Sequence, residues 1–251
     1  MRKTIYIPIV ILLGIFLASC SDTTTNPPPV ETGSIFINST PVGALITVDG
    51  TSTQKVTPDS VTGLSTGNHT ILLTLTGFND TTFTVNVEAN QQTTKQITLK
   101  AALSHYSHVK IYETAGTDST QPSGLDLSSG NAYGLSSSNK GKVDIYYSTS
   151  GTGGVPYLVQ SADLYPNLTR HTAFYISNGT DINDGEDSPN SALSGWTDNM
   201  SDRENHYVFL YDEDGHYSKL IITDFGGGSG GVPAWVEVEW YYNNAGADTN
   251  F

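Results

Sequence analysis

Val232–Tyr242 has the sequence VPAWVEVEWYY, and its side chains alternate in character along the segment. One set is apolar and comprises Ala234, Val236, Val238, Trp240 and Tyr242; between them lie Trp235, Glu237, Glu239 and Tyr241. Successive side chains of a β-strand point to opposite faces of its sheet. The alternation therefore predicts a strand with one packed face and one largely solvated face.

The residues before this strand extend it into a three-stranded meander. His206–Tyr211 leads into the turn Asp212–Gly215, whose glycine can adopt a positive φ, and His216–Phe225 forms the returning strand. Further short apolar or aromatic runs predict strands at 109–112, 143–147, 157–160 and 173–176. We therefore expect a larger, mostly antiparallel all-β domain over residues 102–243, followed by a frayed tail at 244–251.

A second set of alternating runs lies between residues 33 and 100. Its apolar positions are Ile35, Ile37, Ile46, Val48, Ile71, Leu73, Leu75, Phe83, Val85, Val87, Ile97 and Leu99. Turn signals such as Asp49-Gly50 and Gly67-Asn68 separate the runs, so residues 33–100 predict a small β-sandwich. All three tryptophans, and every tyrosine except Tyr6, come after residue 105, which predicts a separate core for the second domain.

The turns of the first domain occur in an order that resembles the PEGA domain family. The resemblance is carried by Ser39–Ala44, Val48–Gly50, Thr57-Pro58, Gly63-Leu64, Gly67–His69 and Gly77-Phe78. It implies a small β-sandwich of exported bacterial proteins that contacts surface layers or cell-wall polymers, without catalytic residues. We expect His69, which precedes a strand, to have a capping or packing role.

The C-terminal region carries motifs of another family. They are Gly124–Gly130, Val143–Tyr146, Thr149–Gly154, Asn205–Phe209, Asp214–Leu220, Thr223–Phe225 and Glu237–Tyr242. Together they resemble the HmuY-like haem-binding lipoproteins, which implies an all-β fold and capture of haem. The resemblance places an iron ligand in the loop Trp196–Asp202, close to Met200, and His171 is a candidate second ligand. Methionine sulfur is an accepted axial ligand of haem iron.

The N-terminus has the layout of an export signal. A basic start at Arg2-Lys3 precedes the apolar run Ile5–Phe16, which is short for a membrane span. Cys20 is the chain's one cysteine and cannot form an internal disulfide. Leu17–Cys20 (LASC) resembles a lipobox, in which a diacylglycerol is attached to the sulfur and the signal is cut before the cysteine. We therefore expect residues 1–19 to be a signal peptide and Cys20 to be lipidated.

Residues 20–32 predict a lipidated proline- and threonine-rich tether, because consecutive prolines favour an extended conformation. Ser21, rather than an aspartate, follows the cysteine and favours the outer membrane, facing either the periplasm or the surface. The chain has 11 Lys+Arg against 25 Asp+Glu, a formal net charge of −14. Such a surface repels anionic headgroups and nucleic acid, so we expect attachment through the lipid and no nucleic-acid binding.

The acidic run Asp181–Asp187 (DINDGED) is a candidate calcium loop that lacks the glycine spacing and helices of an EF-hand. A solvated acidic loop is the alternative. The candidate ligands are Asp181, Asn183, Asp184 and Asp187. His105 and His108 are not expected to share a metal ion, because strand residues three apart point to opposite faces.

The sequence contains no His-Glu-x-x-His motif, no phosphate-binding loop and no paired-cysteine zinc site. We therefore expect a non-catalytic, membrane-anchored binding lipoprotein of the cell envelope or surface that recognises cell-wall or surface polysaccharide. A minority of the tyrosines could provide an exposed surface on which sugar rings stack. A haem-capturing lipoprotein and an unrecognised hydrolase are the alternatives.

Overall fold

A computed structural model describes residues 30–114, 119–148 and 157–251. The predicted signal peptide, Cys20 and the segment 149–154 lie outside these residues. The described chain is built almost entirely from β-strands in four mostly antiparallel sheets, which confirms the all-β prediction. Among the described residues no helix is long and apolar enough to cross a membrane.

The first domain is a small sandwich of seven strands. They are β1 (Thr32–Thr40), β2 (Leu45–Val48), β3 (Thr51–Val56), β4 (Asp59–Ser65), β5 (Gly67–Thr74), β6 (Thr81–Val87) and β7 (Gln92–Thr98). Its sheets have the orders β4-β1-β7 and β3-β2-β5-β6, and β1 pairs with β7 in parallel. Ile35, Ile71 and Val85 belong to the aliphatic core that both sheets cover.

The turn over residues 41–44 is held by Thr57. The Oγ1 atom of Thr57 accepts the backbone N–H groups of Gly43 (3.1 Å) and Ala44 (3.0 Å) and shares a 2.5 Å hydrogen bond with the Ser39 hydroxyl. Ser39 and Thr57 are buried, and a buried polar group needs such partners. The two hydroxyl residues thus fix the turn against the apolar core.

His69 has the packing role that its position predicted. Its Nδ1 atom lies 2.6 Å from the Asp49 carboxylate and its Nε2 atom 2.8 Å from the Ser65 carbonyl. The Ser65 carbonyl, and then Asp49, raise the pKa of this buried imidazole. The ring therefore joins the β2–β3 turn to the end of β4.

The second domain contains ten strands. They are β8 (Leu103–Tyr112), β9 (Gly124–Leu125), β10 (Ala132–Tyr133), β11 (Ile145–Ser148), β12 (Leu158–Ser161), β13 (Ala173–Ile176), β14 (Asn199–Ser201), β15 (Val208–Tyr211), β16 (Tyr217–Gly226) and β17 (Trp235–Asn243). Two five-stranded sheets, β10-β9-β11-β12-β14 and β13-β15-β16-β17-β8, enclose the larger core. Two short 3-10 turns interrupt the chain, at Ser137–Asn139 and Ala162–Leu164.

Strand β17 has the two faces that its sequence predicts. Val236, Val238 and Trp240 are fully buried between the sheets, whereas Glu237 and Glu239 are partly exposed. The Trp240 indole donates to the Leu127 carbonyl (2.9 Å), which gives its polar atom a partner inside the core. The predicted meander is present as β15, β16 and β17, paired in antiparallel order.

A β-bulge places His108 on the same face as His105, which contradicts the expectation of opposite faces. His108 has φ +57°, and the pairing of β8 with β17 shifts register beside it. The Nε2 atom of His105 lies 2.8 Å from Glu239, and the Nδ1 atom of His108 lies 2.9 Å from Glu237. Because an inserted residue reverses the alternation of a strand, both histidines contact glutamate carboxylates on the solvated face of β17.

Residues 244–251 do not fray, contrary to the sequence prediction. The N–H of Ala247 donates to the Gly215 carbonyl (2.8 Å), and the N–H of Ser188 donates to the Thr249 carbonyl (2.9 Å). The Phe251 ring centroid lies 5.9 Å from that of the fully buried Phe209. The tail is held because its backbone groups find partners in two separate loops.

The joint between the domains, residues 99–103, is also held by backbone contacts. The N–H of Ala102 donates to the Gly77 carbonyl (2.8 Å), and the N–H of Asn244 donates to the Ala102 carbonyl (2.9 Å). A Cβ atom on Gly77 would lie 2.5 Å from the Asn244 carbonyl oxygen. A glycine is therefore required where the first domain meets the tail of the second.

Candidate functional site: a cleft between the domains

The acidic loop pairs with a buried lysine side chain of the same chain, Lys219. The Nζ atom of Lys219 in β16 donates to Asp184 Oδ1 (2.5 Å) and to the Glu186 carbonyl (3.2 Å), and the lysine is fully buried. The Tyr207 hydroxyl donates to Asp184 Oδ2 (2.8 Å) and also to Glu186. Burial raises the pKa of Asp184, but the hydrogen bonds from Lys219, the Glu186 N–H and the Tyr207 hydroxyl together outweigh it, so this pKa lies below its ordinary value.

The other candidate calcium ligands make separate contacts. Asp181 accepts the N–H of Asn183, and the side-chain Oδ1 atom of Asn183 accepts the Tyr241 hydroxyl (2.7 Å). Asp187 Oδ1 accepts the N–H of Phe251 (3.0 Å). In the described part of the chain, no three His, Cys, Asp or Glu side chains are grouped to hold a metal ion. The structure thus assigns the loop's carboxylates to protein donors, and calcium binding stays a prediction.

The two haem candidates lie in different environments. Met200 is in β14 rather than in a loop, pairs with Val159 and is 2% exposed within the core. His171 is at the surface, with its Nδ1 atom 3.0 Å from Asp163. The loop prediction for Met200 was wrong because the polar residues around it face solvent while its own side chain faces the core. Haem binding stays a prediction.

Residues Gly227–Gly231 match the Gly-x-Ser-x-Gly sequence motif that is found in hydrolases. In α/β-hydrolases this pattern occupies a sharp turn from a strand into a helix. Here the segment joins the antiparallel strands β16 and β17, and Ser229 forms a bridge with Val232. The loop lacks the structural context that this mechanism requires.

Asp144 forms a second buried charge cluster, with a structural role. Its carboxylate accepts the N–H of Leu127 (2.8 Å) and the Arg170 Nε–H (2.6 Å), and the same guanidinium reaches Asp214 (2.6 Å) in the β15–β16 turn. Burial raises the pKa of Asp144 to about 6, although Arg170 and the Leu127 amide oppose this. The cluster ties the two sheets of the second domain together.

A cleft of about 630 Å³ opens where the two domains meet. Its polar lining comprises Asn79, Thr98, Lys100, Asp187 and Asn250, and its apolar lining comprises Leu99, Ala101, Leu103 and Phe251. The first domain and the joint contribute the residues up to Leu103, whereas the acidic loop and the tail contribute the rest. Small-molecule sites commonly lie at domain interfaces in clefts of this size.

Backbone contacts of the joint and tail fix the walls of this cleft. The N–H of Asn79 donates to the Lys100 carbonyl (2.8 Å), and the Asn79 amide donates to the Ala101 carbonyl (3.0 Å). Across the cleft, Asp187 holds the N–H of Phe251, whose ring packs near Phe209. The aromatic ring and the amides are therefore carried by segments with defined positions.

The chemistry of the lining suits binding. Asparagine amides and a threonine hydroxyl offer both donors and acceptors, the two charged side chains differ in sign, and Phe251 offers an apolar ring. No pattern in the sequence indicated this cleft. The acidic run predicted a calcium site that includes Asp187, the tail was expected to fray, and the joint has no motif that marks a site.

Comparison with known protein families gives a match for the first domain. A comparison with curated proteins gives no match. The family model described as the PEGA domain matches residues 32–103, that is, the first sandwich and the joint that lines the cleft. This match supports the PEGA resemblance of the first region and suggests a binding role associated with the cell surface or envelope.

Proposed function

We propose that the protein is a lipid-anchored binding lipoprotein of the outer membrane that recognises cell-envelope polysaccharide in the cleft between its domains. The observation that carries the proposal is the composition of this cleft, in which both domains supply hydrogen-bonding groups around one aromatic ring. The PEGA match is the independent support for a location at the envelope. Lipidation of Cys20 and the tether up to residue 32 would hold the first domain near the membrane.

The size and lining of the cleft favour sugars over a large apolar ligand. A volume of about 630 Å³ accommodates a few pyranose rings. The C–H face of a pyranose packs on an aromatic ring, which Phe251 provides, and its hydroxyls pair with amides such as Asn79 and Asn250. A haem group would instead require a dry apolar pocket, whereas five of the nine residues that line this cleft are polar or charged.

We propose binding without catalysis. Among the described side chains that line the cleft there is one carboxylate, Asp187, and its Oδ1 atom is already bonded to the tail. Hydrolysis of a glycosidic bond uses a pair of carboxyl groups on opposite sides of the scissile bond. The lining therefore positions a sugar chain without the pair that would cut it.

The test uses the chain without its signal peptide and with Cys20→Ser, so that it is soluble. It is incubated with insoluble cell-wall material and with surface polysaccharide from the producing cells, and the bound fraction is measured by co-sedimentation. Phe251→Ala should weaken binding about fivefold, since loss of one stacking contact is worth roughly 1 kcal/mol. Phe225→Ala, which removes a 46% exposed aromatic ring outside the cleft, is the matched control. Equal retention of both variants would refute the assignment of the cleft.

A further inference from the structure

The described side chains that line the cleft include two of opposite charge that form no ion pair with each other. Lys100 and Asp187 both line it, and among the ion pairs of the described residues none involves either side chain. Asp187 accepts the Phe251 N–H through Oδ1, and its negative charge can still pair with a cationic group of a ligand. The position of each residue is fixed, because the Lys100 carbonyl accepts the Asn79 N–H (2.8 Å) and the neighbouring Ser188 N–H binds the tail.

We propose that the cleft selects zwitterionic saccharide units, in which a carboxylate pairs with Lys100 and an ammonium group pairs with Asp187. This inference rests on the proposed function and names its ligand class. A neutral sugar would leave both charges without a partner, and a ligand with a single charge would satisfy one of them. Opposite charges held apart on two walls are complementary to a ligand that carries both.

The negative net charge of the protein distinguishes binding that depends on Lys100 from non-specific attraction. With a formal charge of −14, the protein repels polyanions and attracts polycations without any site. Lys100 provides the local positive charge that a carboxylate-bearing sugar needs. Binding of a zwitterionic polymer should therefore depend on Lys100, whereas binding of a polycation should not.

The experiment compares four β-1,4-linked glucans that differ in charge. They are hydroxyethyl cellulose (neutral), carboxymethyl cellulose (anionic), chitosan oligomers (cationic) and carboxymethyl chitosan (zwitterionic). The dissociation constants of the soluble chain are measured at 0.15 M salt, with Lys100→Gln and Asp187→Asn as variants. Asparagine keeps the oxygen that accepts the Phe251 N–H, so this change removes the charge and retains the tail contact. Lys140→Gln and Asp224→Asn remove exposed charges elsewhere and are the controls.

The wild-type chain should bind carboxymethyl chitosan more tightly than the neutral and anionic polymers, and its binding of cationic chitosan should not depend on Lys100. Lys100→Gln and Asp187→Asn should each weaken that binding about fivefold, the equivalent of roughly 1 kcal/mol for a partly exposed ion pair, while the controls have no effect. Equal affinity for the four polymers, absence of binding to all of them, or equal effects of the controls would overturn the charge selection. The proposed function would be overturned only if Phe251→Ala and its control Phe225→Ala bound envelope polysaccharide equally well. The two failures are therefore distinguishable.

Discussion

Replacing Asp184 with asparagine should destabilise the second domain far more than replacing its partner Lys219 with methionine. Asp184→Asn can keep an oxygen that accepts from the fully buried Lys219 ammonium group, but it removes the negative charge that neutralises this group, whose other partners are the Glu186 carbonyl (3.2 Å) and the face of Tyr207 (4.2 Å). Breaking one side of a buried ion pair costs about 3–5 kcal/mol. The Asp184 side chain is 31% exposed, and water can partly replace it, so we expect about 2–3 kcal/mol.

Lys219→Met removes the charge and keeps most of the side-chain volume among Tyr207 and Phe209. The Asp184 carboxylate that remains is 31% exposed and still accepts the Tyr207 hydroxyl, so it is not left as a buried unpaired charge, and we expect a change within about 1 kcal/mol. In the double variant the asparagine no longer faces a buried ammonium group. The double variant should therefore recover about 2 kcal/mol relative to Asp184→Asn.

Urea unfolding followed by tryptophan fluorescence measures these differences, because all three tryptophans lie in the second domain. The four proteins of the cycle are compared at pH 7 and 25 °C with a common m-value. An Asp184→Asn cost below about 0.5 kcal/mol, or additive single changes, would show that Lys219 does not depend on the acidic loop. Either result would refute the pairing of the Asp184 carboxylate with an internal cation.

Three other predictions follow from the remaining contacts. Gly77→Ala places a Cβ atom 2.5 Å from the Asn244 carbonyl oxygen at a residue with φ +84°, so this substitution should separate the two domains. The radius of gyration in X-ray scattering should increase, while the unfolding transition followed by tryptophan fluorescence should not change. An unchanged radius of gyration would contradict the contact. The pKa of Asp144 rises from its ordinary 3.8 to about 6 on folding, so the folded state binds the proton more tightly and this carboxyl group stabilises it less as pH rises from 4 to 6. In urea titrations, the wild type should gain about 2 kcal/mol relative to Asp144→Asn between pH 7 and pH 4.5, and a shift of opposite sign would refute this. Cys20→Ser should move the protein out of the membrane fraction or leave it as an uncleaved precursor, and a mature membrane-bound variant would exclude lipidation.

Local patterns predicted the parts of the fold that depend on local chemistry. The alternation around Val236 and Trp240 was sufficient to predict the faces of β17, because each side chain there follows the regular period of a strand. The same rule failed at His108, since one inserted residue changes the face without any compositional signal. A bulge depends on how two strands pair, and the sequence of one strand does not specify it.

The acidic loop shows why a site prediction can fail although its residues were correctly singled out. Several carboxylates are close together in the sequence of this loop, and the sequence-based prediction paired them with an external cation, calcium. The partner in the structure is Lys219, 35 positions after Asp184, on a strand whose alternation does not reveal whether a lysine faces solvent or a covering loop. Only the tertiary arrangement shows that the loop lies over this lysine.

The cleft combines these non-local effects. Asp187 and Phe251 are 64 positions apart, and each reaches the cleft because its segment is held elsewhere: the loop by Lys219 and the tail by Gly215 and Ser188. The opposite wall depends on the close approach that Gly77 permits. The charges of Lys100 and Asp187 can therefore act on one ligand only while both domains remain docked. Ligand binding in the cleft should in turn stabilise the docked arrangement, because a ligand that contacts both walls binds the docked state in preference to the separated one.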